Sequence, residues 1–439
     1  MPLIRERATA QERAVTRWAL FIFLIGLTTA LLWTFIVLPW FAPIARDLDV
    51  NGLGGIGVRL ANGEGFSLGH GPSVRRAPIY PLLVAGVVWV FGFDPAHPQR
   101  SYLPVFILQC LFAALTCVAT FFVANRLFGL RAGALAGLMC AVWPQCLRYL
   151  GSIEPEALMT LWTALLALAA VRLYQQPDYR NAALLGLITG LYTLTKSISL
   201  FFPLAMAAIL AVRALRLRQP IAWGPMAASI GVLALVCLPW IVRNHIVSQG
   251  RFHNISSNAP GEFLRGYVNA QPKYSLLRRE FRGNWDVEAN LYEDALLRQQ
   301  GYYFDMFRVS HVDNEILKDR VGMQIIREKL SKDPLGFAQK FLIQCFTFWY
   351  LVETPSKSIL VGALALVAWL LAGAGIVRAR REGVDVAPIM ATVLYFNVVY
   401  AVFLAFARYS MPVFPALLVL SAQGLSVTLT TLLRRRAEA

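Results

Sequence analysis

The side chains of this sequence with the most chemical potential are a few charged residues set beside long apolar runs. Arg46-Asp47-Leu48-Asp49-Val50-Asn51 places two carboxylates directly after the first such run, ahead of Arg59-Leu60-Ala61-Asn62-Gly63-Glu64-Gly65-Phe66-Ser67. A carboxylate in a partly dehydrated cleft has its pKa lifted towards neutrality and can act as a general base. The competing reading of Asp47 and Asp49 is a pair of solvated loop acids, and composition alone favours it. Glu154-Pro155-Glu156 opens another apolar run beside Leu150-Gly151-Ser152. An acid costs roughly 2.5 to 3.5 kcal/mol at a helix centre and less near an interface. Glu156 is therefore tolerable as an incidental charge, yet it points at the same face as Asp49.

Four cations accompany these acids. Lys196 sits where two half-length apolar runs, 182 to 195 and 199 to 213, meet at Thr195-Lys196-Ser197-Ile198-Ser199. Arg243 follows Pro239-Trp240, and Arg408 opens Arg408-Tyr409-Ser410-Met411-Pro412. Singly, such an arginine reads as one that snorkels to lipid headgroups. Together Arg76, Lys196, Arg243 and Arg408 make a ring of cations facing a few acids, the pattern for binding a phosphate and stabilising it as it leaves. Metal chemistry has little support: His70, His97, His245, His253 and His311 are scattered without ligand spacing. Asp47 and Asp49 offer a possible divalent-cation site, although two acids alone do not specify one. Gly52-Leu53-Gly54-Gly55 lacks a preceding strand, and no Walker or Rossmann pattern occurs.

The elements that position these residues follow from composition. Of 439 residues, 57% are hydrophobic and only 15% charged, against about 25% charged in an average soluble domain. That excludes a soluble enzyme and a disordered chain, and charge-free runs such as Trp18 to Leu38 exclude a β-barrel. The fold class is all-α, a polytopic transmembrane helical bundle. The net charge of +16 comes from arginines at the ends of apolar runs, so the positive-inside rule explains it and nucleic acid is not expected as a partner. Cys110, Cys117, Cys140, Cys146, Cys237 and Cys345 read as small buried hydrophobes.

The basic clusters are Arg5 to Arg17, Arg126 and Arg131, Arg172 and Arg180, Arg213 to Arg218, Arg378 to Arg381, and Arg434 to Arg436. Placing them in the cytoplasm gives about ten spans, near 18–40, 103–125, 132–149, 156–172, 182–195, 199–213, 223–241, 358–378, 386–406 and 411–433, with both termini inside. Residues 78–93 reach only about 24 Å, short of a roughly 30 Å core, and are expected to be tilted, re-entrant or against the outer leaflet. Residues 335–352 read as an interfacial helix. The chain is thus expected to be one integral-membrane domain over 1–439, with hydrophilic outer loops 41–77 and 242–334. Within the second, Leu317, Val321 and Ile325 mark a helical stripe from Asn314 to Lys332, stopped by Pro334.

At this point the motifs resemble a family, the polytopic glycosyltransferases of the GT-C fold, family 39 type, and within it the bacterial relatives of protein O-mannosyltransferases and of the lipid A aminoarabinose transferase. Asp49 with Leu60-Ala61-x-Gly63-x-Gly65-Phe66-Ser67 and Arg76-x-Pro78-x-Tyr80-Pro81 is similar to that family's first outer loop. Ser152-Ile153-x-Pro155-Glu156 resembles its second. Pro239-Trp240-x-x-Arg243-Asn244 with Ser257-Asn258 and Gly261 resembles the start of its large outer loop, and Pro334-x-x-Phe337 with Phe348-Trp349 that loop's closing helix. Arg408-Tyr409-x-x-Pro412-x-x-Pro415 resembles its last outer turn. Two departures are Leu53, where the family usually has an aromatic, and Ala77-Pro78, where it often has two prolines.

The resemblance implies an inverting transfer of a sugar from a polyprenyl-phosphate donor to an acceptor hydroxyl, at the periplasmic face of a bacterial inner membrane. The acceptor is a glycan, a lipid or a protein, and membrane lipids are the surroundings. In that reading Asp49 is the base with Asp47 beside it, and Glu156 positions a cation or the sugar. Lys196, Arg243, Arg408 and Arg76 hold the donor phosphate, while Tyr80 and Tyr409 position substrate. The alternative is a transporter or flippase of lipid-linked anionic glycans, which would need charge along a path to the cytoplasmic face.

Overall fold

The computed structural model describes residues 2–41, 49, 51–69, 71–271, 285–302 and 312–438. Apolar runs too long to stay in water become helices because a helix satisfies every backbone donor and acceptor within itself. Helix α1 (Pro2–Leu32) continues through a π-turn at Trp33–Val37 into a last turn at Leu38–Phe41. Two short helices follow, α2 (Leu53–Ala61) and α3 (Ile79–Phe91). The bundle proper continues with α4 (Leu103–Phe128), α5 (Leu130–Val142), α6 (Glu156–Gln175), α7 (Tyr179–Thr193), α8 (Phe202–Arg216) and α9 (Trp223–Val247). Then come α10 (Ala259–Asn269), α11 (Trp285–Gln299), α12 (Val312–Lys332) and α13 (Pro334–Tyr350). Helices α14 (Pro355–Arg381), α15 (Ala387–Val402) and α16 (Phe414–Glu438) close the chain.

Among the described residues six segments are long and apolar enough to cross a membrane: Gln11–Trp40, Pro98–Phe128, Glu156–Gln175, Ser197–Arg216, Trp223–Val247 and Pro355–Arg381. Helices α3, α5 and α15 are apolar but shorter. The protein is an all-α integral membrane protein. Its bundle packs through small residues, as expected where lipid tails are as apolar as leucine. A Cβ on Gly375 would lie 2.0 Å from the Leu420 carbonyl oxygen, and one on Gly424 2.1 Å from that of Leu371. Only glycine lets α14 and α16 approach this closely.

Several expectations shift in detail. The run 132–149 is interrupted because Pro144 has no amide hydrogen to donate and disfavours helix at the residue before it; Trp143 is extended (φ −74°, ψ 117°). Helix α3, of 13 residues, spans only about 20 Å. It buries Tyr80, Val84 and Val88 against α2 and α4 and exposes Leu82, Trp89, Val90 and Phe91. In α12 the buried stripe is Glu315, Ile316, Gly322, Ile325 and Ile326, while Leu317 is 44% exposed. The helix is rotated from the expected stripe because Glu315 is drawn inward: its carboxylate accepts from Ser73 Oγ and from the Val74 amide, both at 2.7 Å. Of the cysteines, Cys345 is only half-buried.

The turns α4–α5, α6–α7, α8–α9 and α14–α15 carry the arginine clusters, and the intervening ones carry the residues described next.

Candidate active site

A cavity of about 450 Å³ opens among the connections that lack the arginine clusters. Arg76, Ala77 and Tyr80 reach it from the start of α3, Glu154 and Glu156 from the start of α6, and Lys196 from the break between α7 and α8. The α15–α16 link supplies Leu404, Phe406, Arg408 and Tyr409. Glu262, Arg265, Glu293 and Lys318 of α10, α11 and α12 line the remainder.

One hydrogen-bonded chain joins three of the connections. Arg76 Nη2 donates to Asn51 Oδ1 (3.1 Å), and Asn51 Nδ2 donates to Glu154 Oε1 and Oε2 (2.7 and 3.0 Å). Arg408 closes the chain, its Nη2 donating to Glu154 Oε2 at 2.6 Å and its Nε to Glu156 Oε1. Burial alone would lower the pKa of Arg408, but Glu156 and Glu154 overcome this and hold it well above its ordinary value. Burial raises the Glu154 carboxyl in spite of Arg408. Glu156 is fully buried, and its Oε2 has no hydrogen-bond partner. A donor such as a hydroxyl from a bound molecule is what that oxygen lacks.

Lys196 has a different environment. Its ammonium lies 3.8 Å from the Tyr409 ring centroid and 5.5 Å from that of Tyr400, and these two rings stack at 4.6 Å. Among the described residues no carboxylate lies within ion-pair distance of it. Burial lowers its pKa to about 8, offset in part by Glu156 and Glu262. Among the described residues Arg76 likewise has no ion pair at contact distance, and its Nε has no hydrogen-bond partner. Burial, with Arg75 nearby, brings its pKa to about 10. The two are cations whose charge is not spent on a neighbouring acid, whereas that of Arg408 is spent twice.

The structure gathers Arg76, Tyr80, Glu156, Lys196, Arg408 and Tyr409 around one cavity, and it places two expected residues elsewhere. Arg243 Nη1 donates to the Ser73 carbonyl at 2.5 Å and to Asn244 Oδ1 at 2.9 Å, and Nη2 donates to the Phe66 carbonyl at 3.3 Å. With Trp240 and Phe66 stacked on it, Arg243 binds loop-one backbone rather than lining the cavity. Asp49 also lies off the lining. Its Oδ1 accepts the Gly54 amide at 2.9 Å and Oδ2 the Gly55 amide at 2.7 Å, the N-terminus of α2. Burial raises its pKa against those amides and Arg76. Asp47 lies outside the described residues, so a divalent cation shared with Asp49 is not described either. Among the described residues no three potential metal ligands come together.

Sequence reasoning passed over Glu262, Arg265, Glu293 and Lys318, which form an ion-pair network. Arg265 contacts Glu262 and, at 3.5 Å, Glu293; Lys318 reaches Glu293 at 2.6 Å. The one signal available was Glu262 and Arg265 at i, i+3 within a hydrophilic loop.

Residues 75–242 match the family model described as dolichyl-phosphate-mannose-protein mannosyltransferase. That stretch contains Arg76, Tyr80, Glu156 and Lys196. Among proteins of curated function, none matches significantly. Among solved structures, the chain is similar to the archaeal oligosaccharyltransferase AglB from Archaeoglobus fulgidus in complex with an inhibitory peptide and a dolichol-phosphate. The TM-score is 0.56 and the identity 15%, over 96% of this chain and 51% of that one. The apo form of the Archaeoglobus fulgidus enzyme gives a TM-score of 0.55 at 16% identity over the same shares. ArnT from Cupriavidus metallidurans bound to undecaprenyl phosphate gives 0.38 at 15% identity, over 95% and 78%. The chain thus spans about half the length of the oligosaccharyltransferase chains it matches (51%). The described helices, six of them long and apolar enough to cross a membrane where about ten spans were expected, and the likeness to the oligosaccharyltransferase chains give one architecture: the chain has the GT-C glycosyltransferase fold.

Proposed function

We propose that this protein is a membrane glycosyltransferase that moves a sugar from a polyprenyl-phosphate donor to an acceptor hydroxyl at the outer face, with inversion. The observation that carries this reading is the pairing, in one cavity, of two cations without ion-pair partners among the described residues, Lys196 and Arg76, with the buried carboxylate oxygen of Glu156 that lacks a donor there. The first two suit a phosphate and the third a sugar hydroxyl. The arginine clusters on the alternate connections support an outer location for the cavity. A nucleotide sugar stays in the cytoplasm, so an outer site calls for a donor delivered through the lipid. The mannosyltransferase family match over the segment holding Arg76, Glu156 and Lys196 supports the same donor class.

In the proposed reaction the acceptor oxygen attacks the anomeric carbon, and the carbon–oxygen bond to phosphate breaks as the new one forms. The acceptor enters beside Asn51 and Leu53, which line the cavity next to Asp49 in the chain, and its proton passes to Asp49, whose carboxylate keeps lone pairs beyond the two that accept Gly54 and Gly55. Lys196 and Arg76 stabilise the departing phosphate. Arg408, fixed by Glu154 and Glu156, orients those acids and the aromatic wall. Glu156 takes a sugar hydroxyl, and Tyr80 and Tyr409 border the substrate. The direct test gives purified protein in lipid nanodiscs a panel of radiolabelled polyprenyl-phosphate hexoses and pentoses, with matching nucleotide sugars as controls. Transfer from a lipid donor with an inverted anomeric centre is the expected result. Transfer from a nucleotide sugar, or movement of the lipid donor across the bilayer without transfer, would overturn the proposal.

A further inference from the structure

The link between α15 and α16 carries Leu404, Phe406, Arg408 and Tyr409 into the cavity, so whatever fixes this link fixes the site. Helix α15 ends abruptly at Phe403 (φ −97°, ψ −93°), and residues 404–406 are not helical. The last carbonyls of a helix have no partner within it and must find donors elsewhere. Here those donors come from a neighbouring helix. Lys340 Nζ donates to the carbonyls of Val402 (2.6 Å) and Phe403 (2.9 Å). Thr347 Oγ1 donates to the Ala405 carbonyl at 3.0 Å, as does Asn269 Nδ2 at 2.7 Å. The Ala407 amide in turn donates to the Leu351 carbonyl at 2.9 Å, just past the end of α13.

The polarity of α13 is inverted relative to a surface helix in water. Lys340, Gln344 and Thr347, spaced four and three apart, form one buried stripe, 2%, 0% and 1% exposed, while Leu335, Leu342 and Phe346 are exposed. Spacings of three and four share a helix face. Its polar face is turned inward onto protein carbonyls and its apolar face outward. The fit is close on the third side too: a Cβ on Gly266 would lie 2.0 Å from the Phe403 carbonyl oxygen and 2.7 Å from Lys340 Cε, so α10 presses the same point.

We propose that Lys340, with Thr347, is a positioning pair for the active site: α13 acts as a brace that holds the 402–407 strap and thereby sets Arg408 and Tyr409 against Lys196. Neither residue lines the cavity. Their influence on ligand binding is wholly indirect. This inference rests on the proposed donor class only for its binding readout; the strap itself is read separately.

The experiment uses the full chain in nanodiscs and compares wild type with Lys340→Met, Thr347→Val and Thr347→Ser. Hydrogen exchange of the 403–409 segment and the affinity for undecaprenyl phosphate as probe are measured on each. Lys340→Met and Thr347→Val should speed exchange in 403–409 selectively and weaken probe binding by about tenfold or more, the worth of misplacing one charged hydrogen bond. Thr347→Ser keeps the hydroxyl and should restore both. Unchanged exchange in 403–409, or an increase spread over the whole bundle, overturns the brace. Should Lys340→Met fail to fold, the Val and Ser pair at 347 decides the matter. If wild type does not bind the probe at all, the donor reading fails while the exchange data still judge the strap.

Discussion

Replacing Lys196 with arginine should change the pH profile of donor binding while leaving the charge in place. With its pKa near 8, Lys196 is about 90% protonated at pH 7 and about 10% at pH 9, so its attraction for phosphate should fall about tenfold per pH unit above 8. The sign follows from the species involved. The cationic form binds, it predominates below pH 8, and it is lost as pH rises through 8. A sugar phosphodiester has no ionisation in this range, so the ligand adds no slope of its own. Arginine remains charged throughout, so the affinity of Lys196→Arg relative to wild type should be constant below pH 8 and rise about tenfold per pH unit above it. Lys340, which burial brings to about 7, titrates in both proteins and cancels in their ratio. Glu154, Glu156, Glu262 and Arg408, the charges that act on Lys196, are likewise common to both. Equilibrium binding of the lipid donor at half-unit pH steps is the assay. If the two proteins fall together above pH 8, Lys196 is not the phosphate-binding cation, and the assignment of this cavity to the donor fails with it.

Three further outcomes are expected. Arg408→Ala strands Glu154 and Glu156, two buried acids, and should destabilise the fold by about 3–5 kcal/mol; thermal unfolding in detergent should show it, with partial recovery on adding Glu156→Gln. Asp49→Asn can still accept one of the two α2 amides, so stability should drop by only about 1–3 kcal/mol, whereas single-turnover transfer should fall about a hundredfold to ten-thousandfold if Asp49 is the base; near-normal transfer would leave it a helix cap. For topology, cysteines at the exposed positions Glu64 and Gln300 should react with an impermeant reagent from outside, and one at exposed Gln219 only after the inner face is opened.

The apolar periodicity of this chain is legible because a bilayer tolerates little else, and the helix breaks at Lys196 and at Pro144 could be placed or explained from local chemistry alone. Glu156, Lys196 and Arg408 stood out because charge beside a membrane span is costly. Other features depend on partners distant in sequence. Nothing near Arg243 says that it will spend its donors on the Ser73 and Phe66 carbonyls, and nothing in 312–332 says that Glu315 will turn inward to meet Ser73. Both are long-range hydrogen bonds to backbone groups that every residue possesses. Lys196 and Arg408 looked equivalent in the sequence for the same reason: which one has a spent charge depends on Glu154 and Glu156, some 250 residues before Arg408.

The balance of charge around the cavity bears on how such a site can exist at all. Its described lining holds six cations (Arg75, Arg76, Lys196, Arg265, Lys318 and Arg408) and five carboxylates (Glu154, Glu156, Glu262, Glu293 and Asp294), an excess of one positive charge when all are ionised. Several partly buried cations without acids would repel one another at low dielectric and cost more than the fold could sustain; the acids make the empty cavity tolerable. Counting Asp49, which lies off that lining and is the proposed base, brings cations and carboxylates into balance before the donor binds. During the proposed transfer the phosphate gains one negative charge as its bond to the sugar breaks, and Asp49 loses one as it takes the acceptor proton. The total within the site is unchanged, and the reaction only moves charge from Asp49 towards Lys196 and Arg76. A base whose pKa burial has raised and a cation whose pKa burial has lowered are each primed for that move, since both relieve a desolvated charge when the phosphate departs.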